Sequence, residues 1–172
     1  MASTYDFLGK VTATGSSTVM TLSGLDQTYQ DIEFIVQAKT ASTSYGASGA
    51  DVILNSDTSS SYLSSAWGKN GTGFYHDQYT KTHFDISYGQ GPGNNDKTMG
   101  FYRLYIASYA SAVDHPGFFQ NTSWDTNSTG AMWWGGCSYA PSTAAAITSI
   151  TWTGVYQIEA NCSICAYGIN YS

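Results

Sequence analysis

The chain has 172 residues, of which 10% are charged and 15% are aromatic, and its formal net charge is -6. Charged residues usually make up about a quarter of a soluble domain, so this composition favours a binding or assembly role over catalysis. Six Lys and Arg residues against twelve Asp and Glu residues leave no basic stripe that could neutralise phosphates. This argues against direct binding to nucleic acid or to anionic membranes. The 43 Ser and Thr residues supply the solubility that charges normally supply.

The length of the chain fits one domain that buries a substantial core. The N-terminal segment MASTYDFLGK lacks the apolar centre of a signal peptide, and no stretch approaches the roughly 20 consecutive apolar residues of a membrane span. We therefore expect the chain to fold in a cytoplasm as a single domain. Residues 1–24 are expected to form either initial strands or an arm, and residues 25–172 the main body.

Short segments in which apolar and polar residues alternate predict a strand about every ten residues, and DIEFIVQAK, residues 31–39, is the clearest example. The twelve predicted strands are residues 5–11, 18–22, 31–39, 51–54, 62–67, 73–76, 83–88, 98–107, 117–124, 131–138, 147–153 and 164–171. No segment has the length and period of a helix. The sequence therefore predicts an all-β, antiparallel β-sandwich, jelly-roll-like, with little or no helix.

Residues that could bind a metal stand in structural contexts. Cys137, Cys162 and Cys165 are odd in number and too few for a disulfide framework, so we expect free thiols. The last two have C-x-x-C spacing, but residues three apart on a strand point to opposite faces, and no second pair completes a zinc site. Asn55 and Asp57 resemble turn-forming residues more than calcium ligands. We predict no metal and no cofactor.

Candidate catalytic groups are equally sparse. Glu33 and Glu159 fall on predicted strands, where each is expected to be an outward, solvated side chain. The chain has no Gly-x-Ser-x-Gly elbow, and its three histidines are expected on the surface or in loops: His76, His83 and His115. We therefore predict no catalytic residue and a protein that is not an enzyme.

Aromatic clusters are the strongest indication of function in the sequence. In Trp133-Trp134, one ring should point inward and the other outward, because successive strand residues face opposite sides of a sheet. Subunit interfaces concentrate Tyr and Trp, and pyranose rings stack on the same side chains, so both roles stay open beside core packing. The candidates for an interface or for ligand stacking are Tyr5, Phe7, Trp67, Tyr75, Tyr79, Trp133 and Trp134.

Four parts of the chain resemble a family of jelly-roll structural proteins encoded by tailed phages. They are LDQTYQDIEFIVQAK from Leu25, DVILNSDTSSSY from Asp51, RLYIASY from Arg103, and the closing pair AAITSITW from Ala145 and SICAYGI from Ser163. The chain departs from the family at Ser56 and Ser59, which replace turn glycines, at Ala107, which replaces a proline, and at Ala166, which replaces a leucine. The shared motifs are strand starts and turns, so no catalytic residue follows from them.

The resemblance implies a virion structural protein on the outer surface of a phage particle, made in the host cytoplasm. The leading expectation is a capsid decoration or cement protein that binds the major capsid protein or other virion proteins as a homotrimer or homodimer. The alternative is a tail-fibre or spike module that binds a host-surface glycan. The lack of a visible attachment segment before the sandwich favours decoration. No direct contact with nucleic acid or membrane is expected.

Overall fold

The computed structural model describes residues 3–39, 50–70, 73–85, 100–123 and 131–171, and within these ranges it contains twelve strands and no helix. The strands are β1 (Ser3–Thr12), β2 (Val19–Ser23), β3 (Asp31–Ala38), β4 (Ala50–Leu54), β5 (Tyr62–Asn70), β6 (Gly73–Lys81), β7 (Phe84–Asp85), β8 (Gly100–Ile106), β9 (His115–Ser123), β10 (Ala131–Tyr139), β11 (Ser149–Gly154) and β12 (Ser163–Tyr171). Each strand overlaps one predicted segment. The shortest is β7, which begins one residue after the start of its predicted segment, and residues 86–88 of that segment lie outside the described residues.

The strands form two antiparallel sheets. The large sheet has the order β1-β12-β3-β8-β9-β10-β5-β6, and the small sheet has the order β2-β11-β4-β7. All the strand pairs in both sheets are antiparallel. The buried faces of the sheets pack on each other, so that the ring of Trp152 on β11 lies 4.5 Å from the ring of Tyr102 on β8. The predicted all-β antiparallel sandwich is confirmed.

Eight of the strands pair like one long folded ribbon. In this ribbon β1 pairs with β12, β2 with β11, β3 with β8, and β4 with β7. The remaining hairpins, β5-β6 and β9-β10, add four strands beyond β8, and these four strands are named the extension. β1 and β2 are edge strands of the two sheets and pair with β12 and β11.

The core lies between the sheets, and most strands give it alternate residues. Buried and more exposed positions alternate strictly along β8 and β11. Burial of one large apolar side chain stabilises a fold by about 1.5–3 kcal/mol, so the largest members of the core dominate its stability. They are Trp133, Trp152, Tyr62, Tyr109, Tyr139, Phe34, Phe84, Phe119, Ile32, Leu54 and Leu104.

Polar side chains hold the turn that follows β4. Asn55 accepts a hydrogen bond from the backbone N–H of Thr148 at 2.7 Å. Asp57 accepts hydrogen bonds from the hydroxyl of Ser59 at 2.6 Å and from its N–H at 2.8 Å, and the hydroxyl does most to lower the pKa of this carboxyl. Both residues form the turn, as predicted. Ser56 has a φ of 57°, in the left-handed region that favours glycine.

Gly68 on β5 is required by the packing of Trp133. A Cβ at Gly68 would lie 2.2 Å from the Trp133 ring and 2.7 Å from the carbonyl oxygen of Met132. The ring is buried and cannot move aside without disturbing its neighbours. Gly136 on β10 is exposed, and a Cβ there would meet nothing within 4 Å.

We expect Gly68→Ala to lower the free energy of unfolding by about 1–3 kcal/mol, the usual cost of overpacking a core. Gly136→Ala is the matched control, because it makes the same change on the neighbouring strand, and it should stay within about 0.5 kcal/mol of the wild type. Urea denaturation followed by tryptophan fluorescence measures both variants. Equal stability of the two variants would contradict the position of Trp133.

Candidate interaction surface

The outer face of the large sheet, which points away from the core, carries most of the exposed apolar side chains. Thirteen large apolar side chains are exposed among the described residues, and nine of them lie on this face. They are Tyr5, Phe7, Leu63, Trp67, Phe101, Phe118, Met132, Trp134 and Tyr171. Contiguous apolar patches on soluble proteins often mark binding sites, so this face is the candidate interaction surface.

The exposed side chains form two groups, and Phe101 on β8 lies between them. The extension patch lies on β5, β9 and β10 and consists of Leu63, Trp67, Phe118, Met132 and Trp134. The N-terminal patch lies on β1 and β12 and consists of Tyr5, Phe7, Tyr171 and the half-buried Tyr167. Three strand intervals separate β12 from β9, a distance of about 14 Å. The two patches are therefore separate surfaces.

The rings of the N-terminal patch hold one another in place. Tyr5 stacks on Tyr167 with ring centroids 5.0 Å apart, and Phe7 meets the same ring edge-on at 5.7 Å. The hydroxyl of Tyr171 lies 3.3 Å from that of Tyr105. A partner would therefore meet aromatic side chains that are already ordered, which lowers the entropic cost of binding.

A polar strip on β3 and β8 separates the two patches. Glu33 accepts a hydrogen bond from Nε of Arg103, whose side chain is half exposed. Asp31 accepts hydrogen bonds from the Tyr105 hydroxyl and from the N–H of Ser108, the latter at 2.8 Å. Burial, followed by the bond to Asp31, raises the pKa of Tyr105. The strip is a satisfied hydrogen-bond network that fixes the centre of the face.

The prediction that Glu33 is solvated was wrong. Its side chain lies on the outer face, but the residue is only 1% exposed. Its register partners on the neighbouring strands are Tyr105 and Tyr167, and their large side chains flank it on both sides. Glu159 is partly exposed and lies 3.2 Å from Nζ of Lys39.

One cross-strand row of the extension places three rings side by side. His76, Trp67 and Trp134 are successive register partners on β6, β5 and β10. Trp67 is 55% exposed, and its ring centroid lies 4.2 Å from that of His76. His76 Nε2 lies 3.2 Å from the hydroxyl of Ser65, which orients the imidazole. The row places three aromatic rings beside polar groups on the outer face, with the Trp67 and His76 rings tilted by 36° to each other.

The two adjacent tryptophans point to opposite faces of the sheet, as predicted. Trp133 is 2% exposed and Trp134 is 38% exposed. Trp133 therefore belongs to the core and is not available as the surface contact that its place among the candidates implied. Its ring points toward the inner face because it shares that side of β10 with Cys137 and Tyr139, which are also buried.

The remaining site candidates lie on two different parts of the sheet. Tyr5 and Phe7 are exposed in the N-terminal patch, and Trp67 is exposed in the extension patch. Tyr75 and Tyr79 lie on β6, but their side chains are outside the described part of the structure. The contribution of these residues to binding stays a prediction.

Several exposed residues of the surface were not predicted. They are Leu63, Phe101, Phe118, Met132 and Tyr171. A signal for one of them was present, because Phe118 precedes Phe119 on a strand just as Trp134 follows Trp133. In that pair Phe119 is buried and Phe118 is exposed.

His115 was predicted to lie on the surface or in a loop, and this was wrong. It begins β9 on the side that faces the core and is 1% exposed. Its ring nitrogens face two carbonyl oxygens, that of Ser108 at 3.2 Å and that of Ala145 at 3.0 Å. His76 is exposed, as predicted, and Nε2 of His83 lies 3.2 Å from the carboxylate of Asp51.

All three cysteines are free, as predicted. Cys137 and Cys162 are buried, and Cys165 is half-buried on the outer face of the large sheet. Burial raises the pKa of the Cys137 thiol to about 12. Across the described ranges, no group of three or more His, Cys, Asp or Glu side chains is placed to hold a metal ion.

No family model, no curated protein and no solved structure matches this chain. The family resemblance drawn from the sequence therefore stays a prediction. Among the described residues, none forms a helix with the length and apolar character needed to cross a membrane.

We expect Arg103→Met to lower the free energy of unfolding by about 2 kcal/mol. This is less than the roughly 3–5 kcal/mol for breaking a fully buried pair, because the Arg103 side chain is half exposed while that of Glu33 is buried. The free energy of unfolding falls because the Glu33 carboxylate stays buried after its charged partner has been removed.

The double variant Arg103→Met with Glu33→Gln should recover part of this stability, because a neutral amide is less costly to bury than an unpaired carboxylate. Lys10→Met removes the same charge from β1 and serves as the control. Urea unfolding measures all four proteins. If Arg103→Met costs no more than Lys10→Met, the ion pair does not stabilise the fold.

Proposed function

We propose that this chain is a structural protein of a phage particle, of the decoration or cement class, which binds the outer shell and stabilises it. The pairing of the eight-strand ribbon supports this proposal. The ribbon places β1-β12-β3-β8 in one sheet and β2-β11-β4-β7 in the other, which is the arrangement expected of a jelly roll, a fold common in viral capsid proteins. On this interpretation the extension consists of two inserted hairpins.

A second observation supports the resemblance on which the proposal rests. Ser56 occupies the left-handed conformation that glycine prefers, at a position where the family's turn carries glycine. The backbone at Ser56 therefore suits the glycine of the family's turn, whereas Ser59, which replaces the other turn glycine, has no positive φ.

The observation that carries the proposal is the concentration of exposed apolar side chains on one face of a protein with few charges. The core does not need these side chains, because they point away from it. The N-terminal patch is the proposed contact with the shell, since its rings are ordered and project from an edge strand. Each bound copy would add buried area between neighbouring capsid subunits, and a standard interface buries about 1,600 Å². Assembly as a dimer or trimer would add avidity.

The alternative function is a tail-fibre or spike module that binds a host-surface glycan. The row formed by His76, Trp67 and Trp134 favours this alternative, because exposed aromatic rings bordered by polar groups suit sugar stacking. Copy number separates the two functions. A decoration protein is present at hundreds of copies per particle, and a fibre protein at a few or a few tens.

We expect the purified protein to rebind phage particles that have been stripped of it, at hundreds of copies each, and to raise the temperature at which the shells open. The double variant Tyr5→Ser with Phe7→Ser should bind at least tenfold more weakly, because it removes the proposed contact rings. Quantitative mass spectrometry measures the bound copies, and release of DNA on heating measures shell opening.

Trp67→Ser is the matched control, because it removes an equally exposed ring from the other patch. It should bind shells like the wild type. Failure of the wild type to rebind, or binding at only a few tens of copies, would rule out decoration.

A further inference from the structure

The outer face contains an open position that the fold does not explain. Gly135 and Gly136 are adjacent on β10 and face opposite sides of the large sheet. A Cβ at Gly135 would lie 2.1 Å from the carbonyl oxygen of Ser65, so packing requires glycine there. A Cβ at Gly136 would meet nothing within 4 Å, although this exposed position lies in the middle of the extension. A glycine inside a strand often marks a place where another molecule approaches closely.

The surroundings of Gly136 form a shallow notch. Ser65 on β5 and Phe118 on β9 are its register partners. Trp134 lies two residues earlier on the same strand, and Trp67 is the register partner of Trp134. These four side chains lie on the outer face around Gly136, where the backbone carries no side chain. The Gly136 notch is defined by these five residues.

The chemistry of the notch combines ring faces with uncharged polar groups. The hydroxyl of Ser65 lies beside His76 Nε2, and the amide of Gln120 follows Trp134 in the same cross-strand row. A hydroxyl can donate one hydrogen bond and accept two, so Ser65 has capacity beyond its contact with His76. Among the described side chains of this row, Arg103 carries the nearest charge, two strands from Trp134, or about 10 Å.

We infer that the Gly136 notch binds a neutral pyranose, as part of an oligosaccharide that lies across the strands. The C–H face of a pyranose carries slight positive charge and packs against the electron-rich face of an indole ring, and the indole side chains of Trp134 and Trp67 are both exposed here. The hydroxyls of the sugar meet Ser65 and Gln120. Among the described side chains, none that lines the notch carries a permanent charge, so the described part of the notch matches a neutral sugar.

Trp134 and Trp67 lie on neighbouring strands of the large sheet, whose backbones are about 4.8 Å apart. A linear oligosaccharide that crosses these strands can therefore contact both side chains. The inference does not depend on where the protein sits on a particle, because sugar binding uses the extension patch and the proposed shell contact uses the N-terminal patch.

Titration of the purified protein with cellohexaose, maltohexaose and laminarihexaose, followed by calorimetry and tryptophan fluorescence, tests the inference. We expect at least one of these neutral hexasaccharides to bind and to change the fluorescence. Trp134→Ser should weaken that binding at least tenfold, because it removes a stacking face. Gly136→Leu should weaken it to a similar extent by filling the notch, while its thermal unfolding stays that of the wild type because the position is open.

Tyr171→Ser is the matched control, because Tyr171 is 55% exposed, like Trp67, and lies on the same face in the other patch. It should change the affinity less than twofold. The inference is overturned if no neutral hexasaccharide binds, if only 3′-sialyllactose or a heparin hexasaccharide binds, or if Gly136→Leu leaves the affinity unchanged. If the Tyr5 and Phe7 variant loses shell binding but keeps sugar binding, the sugar-binding inference stands. If shell binding is intact and sugar binding is lost, the sugar-binding inference alone is overturned.

Discussion

Successive side chains on a β-strand point to opposite faces of the sheet, and the rest of this structure depends on this constraint. On each strand of the large sheet, one set of side chains enters the core and the other set must point away from it. Two adjacent aromatic residues on one strand therefore cannot both be buried between the sheets. Trp133 and Phe119 take the inner positions, and Trp134 and Phe118 are left on the outer face. A chain rich in aromatic residues that folds as one sandwich must expose some of them, unless a partner covers that face.

The same constraint explains how much of the fold and of the surface the sequence predicts. All twelve strands are predictable from local alternation, and so is the opposite orientation of the two tryptophans. The order of the strands is not, because it depends on pairing between distant segments such as β1 and β12. The burial of Glu33 was missed because it depends on Tyr105 and Tyr167, which come from other parts of the chain. His115 was missed for a similar reason, since one of its two carbonyl neighbours, that of Ala145, is 30 residues away in the sequence.

The outer face exposes apolar side chains, but a polar network divides them into separate patches. Exposed apolar patches favour aggregation, and this protein has few charges with which to oppose it. The network of Glu33, Arg103, Asp31 and Tyr105 divides the face into two smaller patches. The patches also differ in relief. The N-terminal patch contains rings in contact with one another, which suits a broad protein contact, whereas the extension patch surrounds the open position at Gly136, which suits a small ligand.

The central claim, that one sheet face is sealed in the core while the other presents aromatic rings to solvent, is tested most directly by hydroxyl-radical footprinting of the free protein. Tandem mass spectrometry distinguishes oxidation at individual tryptophans. We predict rapid oxidation of Trp67 and Trp134, and protection of Trp133 and Trp152 until the protein is unfolded. Oxidation of Trp133 and Trp134 at equal rates in the folded protein would contradict this account.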